Sequence, residues 1–290
     1  MPNVRILPCR LTAIERGIMA CDQETGGRNM NLGLKGRSAI VTGASRGIGK
    51  AIAHVLAEEG VSVALASRDG SSLQSGARDI ESRYGAAALA VPVDLSLPEA
   101  PAAVVEAAVA AFGKLDILVN CAGATKRGDF FDLTDEDWTD GFALKFFGYV
   151  RMTRAAWPHL KANGGSVINI VGVASRTPTG DHAIAGSVNS ALLNFGKAMA
   201  DIGRRDGVRV NSINPGYIQT DRLMDRLKSV AAKTGSTPEN VGRDILNGIG
   251  VRRFGEPMEI GRITAFLASD LSAYIEGASL DVDGGWTRGI

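Results

Sequence analysis

The chain has 290 residues, with 32 basic and 31 acidic side chains giving a formal charge of +1, and hydrophobic residues make up 45%. Near-neutral balance argues against a nucleic-acid or anionic-membrane surface, and the apolar runs fall far short of the ~20 residues that cross a bilayer. Three cysteines, Cys9, Cys21 and Cys121, form no CxxC pair, so a disulfide framework is excluded and a cytoplasmic setting is expected.

Glycine is in excess, 36 of 290 residues, where average usage of ~7% predicts about 20. Without repeats, that excess points to tight turns and close backbone approaches. Residues 1–30 show no sustained period and end in Gly26-Gly27-Arg28-Asn29. Arg5, Arg10 and Arg16 with few acids give them a faint likeness to a transit peptide, but they are read as a flexible extension, or as the product of an upstream start codon with Met30 the working start.

From Asn31 onward, short β-rich runs alternate with helical stretches. Strands are expected at 37–42, 61–67, 88–94, 115–120, 166–171, 208–214 and 279–282. Helices are expected at 47–59, up to 84, up to 112, 136–161, 182–205 and 257–268, with irregular helices over 221–247. Apolar runs of four to eight residues separated by helices imply buried parallel strands. One doubly wound α/β domain over 31–290 follows: a three-layer parallel sheet of the Rossmann kind with right-handed crossovers.

The strongest motif is Thr42-Gly43-Ala44-Ser45-Arg46-Gly47-Ile48-Gly49. It follows the first strand and opens a helix, the context that gives a glycine-rich turn its meaning. Gly43 permits the turn, Gly47 admits a pyrophosphate to the backbone, and Gly49 lets helix and strand pack. The free amides of the helix start then hold the phosphates.

The spacing TGxxxGxG resembles that of the short-chain dehydrogenase/reductase family. Asn120-Cys121-Ala122-Gly123, Val93-Asp94-Leu95, Asn214-Pro215-Gly216, Arg253-Phe254-Gly255-Glu256-Pro257 and Asp281-Val282-Asp283-Gly284-Gly285 resemble further family segments. The resemblance runs from about Leu34 to Trp286. It implies cofactor contacts from Gly43, Ser45, Arg46, Gly47, Ile48, Gly49, Ser67, Arg68, Asp94, Leu95, Asn120, Ala122, Gly123, Pro215, Gly216 and Ile218. It also implies a substrate lid around 217–255 and self-association as a homodimer or homotetramer. The pairing helices carry Phe146, Phe147, Met152, Leu192 and Phe195. Metal is not expected, and the only other partner is a small-molecule substrate.

An acid at the tip of the second strand selects NAD. Here the strand ends Ala66-Ser67-Arg68, with Asp69 one step beyond. Arg68 and Arg46 suit a 2′-phosphate, so NADP is expected over NAD.

The match fails at the catalytic positions. The family carries an Asn-Ser-Tyr-Lys set, in which the lysine lowers the pKa of the tyrosine four residues before it. Aligned on flanking residues, Lys145 stands at the asparagine, Gly172 at the serine, Ala185 at the tyrosine and Asn189 at the lysine. None of Tyr84, Tyr149, Tyr217 and Tyr274 has Lys at i+4, so no shift restores the pair.

Replacement groups are therefore sought. Lys145 brings a cation, and Tyr149 lies one turn on, facing the same side. His182 is the expected protein acid, with titration near pH 6–7, and Asp181 beside it caps the helix or biases its charge. Ser175 and Ser187 are weaker donors. The expected function is an NADP(H)-dependent oxidoreductase with a rearranged acid/base set. The alternatives are a catalytically silent NADP(H)-binding protein and a lyase or isomerase using the same pocket. Rebuilding the family's set with Gly172→Ser, Ala185→Tyr and Asn189→Lys together is expected to raise carbonyl reduction from a silent parent.

Overall fold

The computed structural model describes residues 19–21 and 28–289. Most of the expected extension over 1–30 lies outside the described residues. Within it, strands β1 (Met19–Cys21) and β2 (Arg28–Met30) pair antiparallel.

Seven further strands form one parallel sheet: β3 (Ser38–Thr42), β4 (Ser62–Ser67), β5 (Ala88–Pro92), β6 (Ile117–Asn120), β7 (Ser166–Ile170), β8 (Arg209–Pro215) and β9 (Ser279–Val282), in the order β5-β4-β3-β6-β7-β8-β9. Every residue of β3, β6 and β7 is buried, because helices cover both faces of a parallel sheet. The helices are α1 (Gly47–Glu58), α2 (Gly70–Tyr84), α3 (Ala100–Phe112), α4 (Asp135–Gly141), α5 (Gly148–Asn163), α6 (Ala183–Asp206), α7 (Asp221–Thr234), α8 (Pro238–Ile249) and α9 (Pro257–Ala268). One apolar core, with Leu34, Ile52, Val63, Leu65 and Ile260, and a second, with Ile40, Val104, Leu118, Met152 and Leu160, together fill the three layers.

The stretch expected as one helix over 136–161 is α4 and α5 joined by a π-helical turn, Phe142–Phe147. Such turns insert extra residues and occur often at functional sites; this one carries Lys145. The region expected as irregular over 221–247 is instead two regular helices. Gly235 and Gly250 end α7 and α8 in left-handed conformation, and Thr237 caps α8 by accepting from Asn240 N. Leu223, Leu227, Ala231 and Val241 form a small core between them. This excursion leaves and rejoins the domain at one place: Ile218 bridges Gly255, with Gly255 N donating to Tyr217 O (2.9 Å) and Gln219 N to Gly255 O (2.8 Å).

Two residues expected on a pairing surface belong to the core instead. Met152 and Leu192 are fully buried within the chain, because α5 and α6 turn those faces onto the sheet. Phe147 remains exposed.

Candidate active site and cofactor cleft

Chain order reverses between β3 and β6, and in open α/β sheets ligands bind outside the strand ends at that switch point. Thr42 pins it. Its hydroxyl accepts from Cys121 N (2.8 Å) and Ala122 N (3.0 Å), locking the ends of β3 and β6 together. The approach is so close that a Cβ on Gly43 would lie 2.9 Å from Ala122 Cα, and one on Gly49 would collide with Gly43 O. Gly43 also has φ +68°, so its need for glycine is both conformational and steric.

Arg46 takes the cap position of α1 in extended conformation, and no side chain caps the helix. Its first amides are thus left for an anion. Thr220, at the start of α7, approaches this loop: a Cβ on Gly47 would sit 3.3 Å from Thr220 Cγ2. The Ser67 hydroxyl, at the tip of β4, is buried with no hydrogen-bond partner. Beyond it, Arg68 and Arg46 are exposed and make no side-chain hydrogen bond or ion pair among the described residues. Asp69 is committed elsewhere. It caps α2, accepting from Ser72 N, Ser72 Oγ and Ser71 Oγ, and these bonds hold its carboxyl down at about 2. Asp94 is likewise engaged locally, accepting from Ser96 N (3.0 Å) and Ser96 Oγ (2.8 Å). An uncapped helix start, a glycine cradle, an orphaned hydroxyl and two free guanidiniums fit a nicotinamide dinucleotide carrying a 2′-phosphate.

Several expected contact residues turn their side chains inward, which limits them to backbone contacts. Asn120 is fully buried, its Nδ2 donating to Asn169 Oδ1 (3.0 Å) and Thr153 Oγ1 (3.3 Å). Leu95 and Ile218 belong to the apolar core, and Ile48 packs against it. Pro215 and Gly216 lie where β8 meets β9. Gly216 N donates to Val282 O, and a Cβ on Gly216 would come 2.8 Å from Asp283.

At the catalytic end, Lys145 Nζ donates to Val171 O and Asn189 Oδ1, both at 2.6 Å. Asn189 Nδ2 in turn donates to Gly172 O (3.3 Å). The lysine stem crosses Gly123, where a Cβ would lie 2.9 Å from Lys145 Cδ. Desolvation lowers the Lys145 pKa to about 8, with Cys121 opposing and nearby Arg222 assisting the shift. An ammonium has three donors, so one N–H is left after these two bonds. Burial pushes the neighbouring Cys121 thiol up to about 12, so it stays neutral.

Tyr149 does face the same side as Lys145, since its hydroxyl donates to Ile170 O (2.9 Å), next to Val171. It is fully buried, and burial raises its pKa well above the ordinary value. It is a packing residue and not a proton donor. Gly172 has φ +123°, a conformation that L side chains rarely adopt. Ala185 is buried.

His182 lies on the turn before α6, where Nδ1 is 3.0 Å from an Arg127 Nη. Arginine only donates, so Nδ1 accepts and the ring is neutral with its proton on Nε2. Burial, then Arg127, push its pKa down to about 4. This corrects the expectation of a histidine titrating near pH 6–7: the ring is a hydrogen-bond donor at neutral pH and not a reservoir of acid. Asp181 does not cap α6. It pairs with Arg127 Nη (2.8 Å) and accepts from Thr179 Oγ1 (2.7 Å). Ser175 Oγ donates to Gly172 O (2.9 Å), which engages it within its own turn.

Sequence reading did not single out Arg127, Arg222 or Arg226. Arg222 donates to Gly123 O (3.2 Å), and Arg226 donates to Tyr217 Oη (3.2 Å) with its guanidinium over that ring. The i, i+4 spacing of Arg222 and Arg226, which puts both on one face of α7, was the available signal. Arg127 carried none, standing alone in a loop.

A family profile described as Enoyl-(Acyl carrier protein) reductase matches residues 43–287. The chain is 34% identical over 255 residues to 3-oxoacyl-(acyl-carrier-protein) reductase FabG of Escherichia coli, covering 88% of this chain and 98% of that protein. Its fold superposes on L-sorbose reductase of Gluconobacter frateurii, solved with NADPH and L-sorbose, at a TM-score of 0.87 and 32% identity over 90% of this chain and 100% of that one. An NADPH-bound short-chain oxidoreductase of Pseudomonas aeruginosa, described as containing an atypical catalytic center, matches at a TM-score of 0.80 and 30% identity over 88% and 98%. With the glycine cradle, the parallel sheet and these relatives in agreement, the chain belongs to the short-chain dehydrogenase/reductase family.

Proposed function

We propose that this chain is an NADP(H)-dependent oxidoreductase acting on a carbonyl/alcohol pair, with the Lys145 ammonium in place of the family's tyrosine–lysine pair. The observation that carries the reading is the placement of Lys145 Nζ between Val171 O and Asn189 Oδ1, with one N–H unspent, beside an intact dinucleotide cradle. Relatives solved with NADPH support the cofactor.

NADP(H), when bound, supplies or accepts the hydride. The α1 amides, with Gly43, Gly47 and Gly49, hold its pyrophosphate, while Arg46 and Arg68 hold its 2′-phosphate. In the direction of reduction, Lys145 hydrogen-bonds the substrate oxygen through its remaining N–H and gives up that proton as charge develops there. A pKa of about 8 suits this work at neutral pH. Asn189 and the Val171 carbonyl hold the ammonium in position. The neutral His182 offers Nε2–H as a further donor to the substrate. The excursion over 217–255, closed on itself at Ile218–Gly255, serves as the lid that excludes water. Self-association through the exposed face around Phe147 and a cytoplasmic setting belong to the same reading. Among the described residues, no helix is long and apolar enough to cross a membrane.

The test is direct. Calorimetry compares NADPH with NADH, and NADPH oxidation is followed across a panel of carbonyl compounds. Turnover with NADPH that Lys145→Met abolishes, at unchanged NADPH affinity, supports the reading. NADPH binding without oxidation of any carbonyl favours a silent binder, and no NADPH binding overturns the reading.

A further inference from the structure

Above the cleft, three segments bring basic groups together. The loop after β6 supplies Arg127, the turn before α6 supplies His182, and α7 supplies Arg226. Arg127 pairs with Asp181 (2.8 Å) and donates to His182 Nδ1 (3.0 Å). Arg226 donates to Tyr217 Oη (3.2 Å) and has no carboxylate partner among the described residues. Tyr217 and Arg226 both act on the Arg127 guanidinium, Tyr217 raising its pKa and Arg226 lowering it. Tyr217 is itself fixed, stacked on Trp286 with centroids 5.1 Å apart and planes 13° from parallel, and meeting Phe254 edge-on at 6.2 Å.

The charges do not balance. Arg127 and Arg226 face one carboxylate, Asp181, which is more than half exposed and also accepts from Thr179. Their mutual repulsion is legible at two members of the group. Burial and Arg226 lower the Arg127 pKa against the pull of Asp181. Burial, Arg127, Lys145 and Arg226 all lower that of His182. Gathering half-buried cations with too little counter-charge is unfavourable for the unliganded protein. An arriving oxyanion relieves it, and guanidinium forks match carboxylate and phosphate geometry.

We infer that the substrate carries an oxyanion, a carboxylate or a phosphate, taken up between Arg127 and Arg226 while its carbonyl meets Lys145. This rests on the proposed oxidoreductase reading for the position of the carbonyl. The oxyanion site itself stands on the contacts and unbalanced charge of the two arginines, independent of that reading. Arg127 and Arg226 are binding residues for the far end of the substrate; Asp181 and His182 position the first and Tyr217 the second.

The test uses matched pairs of probes, acetoacetate against methyl acetoacetate and dihydroxyacetone phosphate against dihydroxyacetone. Their affinities are measured by calorimetry on the full chain loaded with NADP+, after NADP+ affinity itself is established. At least one anion should bind about ten-fold or more tightly than its neutral partner, and which pair shows it separates carboxylate from phosphate. Raising the salt from about 50 to about 500 mM should shrink the preference. Arg226 lies outside the apolar cores of the domain, so Arg226→Gln does not put folding at stake. It should abolish the preference and leave NADP+ affinity unchanged, while Arg226→Lys should keep part of it. Equal affinities within both pairs, no measurable binding of either anion, or a preference that survives Arg226→Gln would overturn the inference. Failure of NADP+ to bind would overturn the oxidoreductase reading instead, and the anion comparison is then read on the unloaded chain.

Discussion

Lys145 Nζ and Asn189 Oδ1 lie 2.6 Å apart, an ammonium on the π-helical turn meeting an amide on α6. The resemblance places asparagine at 145 and lysine at 189; this chain has the reverse, and the ammonium and the amide still meet. Exchanging the pair, Lys145→Asn with Asn189→Lys, should therefore keep the fold. Asn189→Lys alone sets two ammonium groups against each other and should cost about 2 kcal/mol or more. The second substitution should recover most of that loss, giving a coupling of about 1–3 kcal/mol in a double-mutant cycle by urea unfolding.

The pH dependence of reduction should follow Lys145. Its pKa of about 8 means the donor form is full below that value and lost above it. The kcat/KM for carbonyl reduction should fall as pH rises through about 8, and Lys145→Met should remove the step and lower turnover by about 10²–10⁴-fold. Stability should move the other way. The unfolded lysine titrates near 10.5 and the folded one near 8, so between these values the unfolded chain holds more protons. The Lys145 contribution to stability should rise with pH across that window, opposed above about 9 by the raised Cys121 thiol. His182→Gln should leave the limb near pH 8 in place, because the ring is already neutral there.

Gly172 bears on the idea of rebuilding the family's set by substitution. Its φ of +123° is glycine territory, and a Cβ there would meet Asn189 Nδ2 at 3.1 Å. Gly172→Ser should cost about 1–3 kcal/mol. Ala185 is 2% exposed, so a tyrosine there overpacks the interior by a similar amount. The triple variant should melt well below the parent and gain no reductase activity, in contrast to the expectation from sequence. Thermal denaturation and an NADPH oxidation assay check both halves.

Self-association is expected through the face around Phe147, which is 45% exposed and has Arg151 stacked on its ring at 5.4 Å. Phe147→Glu should shift the mass measured by light scattering towards the monomer without lowering NADPH affinity.

The parallel sheet, the glycine turn and the order of elements were legible because they depend on local signals: apolar runs of strand length and glycines at a strand–helix junction. That no tyrosine has a lysine at i+4 is likewise read straight from the sequence. The surroundings of Lys145 were only half legible. Lys145 could be named by position, but its bond to Asn189 depends on the π-turn at Phe142–Phe147, which no α-helical period encodes. The histidine was misjudged for a similar reason. Its low pKa comes from burial and from Arg127, 55 residues away in sequence and 3.0 Å away in space. The regularity of α7 and α8 was hidden by their charge, because the face they share is a narrow stripe of Leu223, Leu227, Ala231 and Val241, with Met224, Val230 and Ile245 at its margin.

Cofactor selection rests on where Asp69 points. An acid near the tip of the second strand normally argues for NAD, and Asp69 is only one residue past Arg68. Its oxygens, however, accept from Ser71 and Ser72 at the start of α2, and a carboxylate held at about 2 stays ionised in that cap at any working pH. Its carboxylate is thus engaged at the helix start rather than held towards the tip of β4, while Arg68 is free to meet a phosphate. Arg68→Asp removes that cation and places an acid at the strand tip itself. NADPH affinity should drop about 10–100-fold, the range for losing a charge-assisted hydrogen bond, with NADH affinity unchanged or higher. Asp69→Asn is the control. It weakens the α2 cap by about 1 kcal/mol or less, so it should lower the melting temperature slightly and leave the NADPH preference intact. If Asp69→Asn instead raises NADPH affinity over NADH, Asp69 is reaching the ribose and the helix cap is not its main role. Isothermal calorimetry with both cofactors on the two variants decides between them.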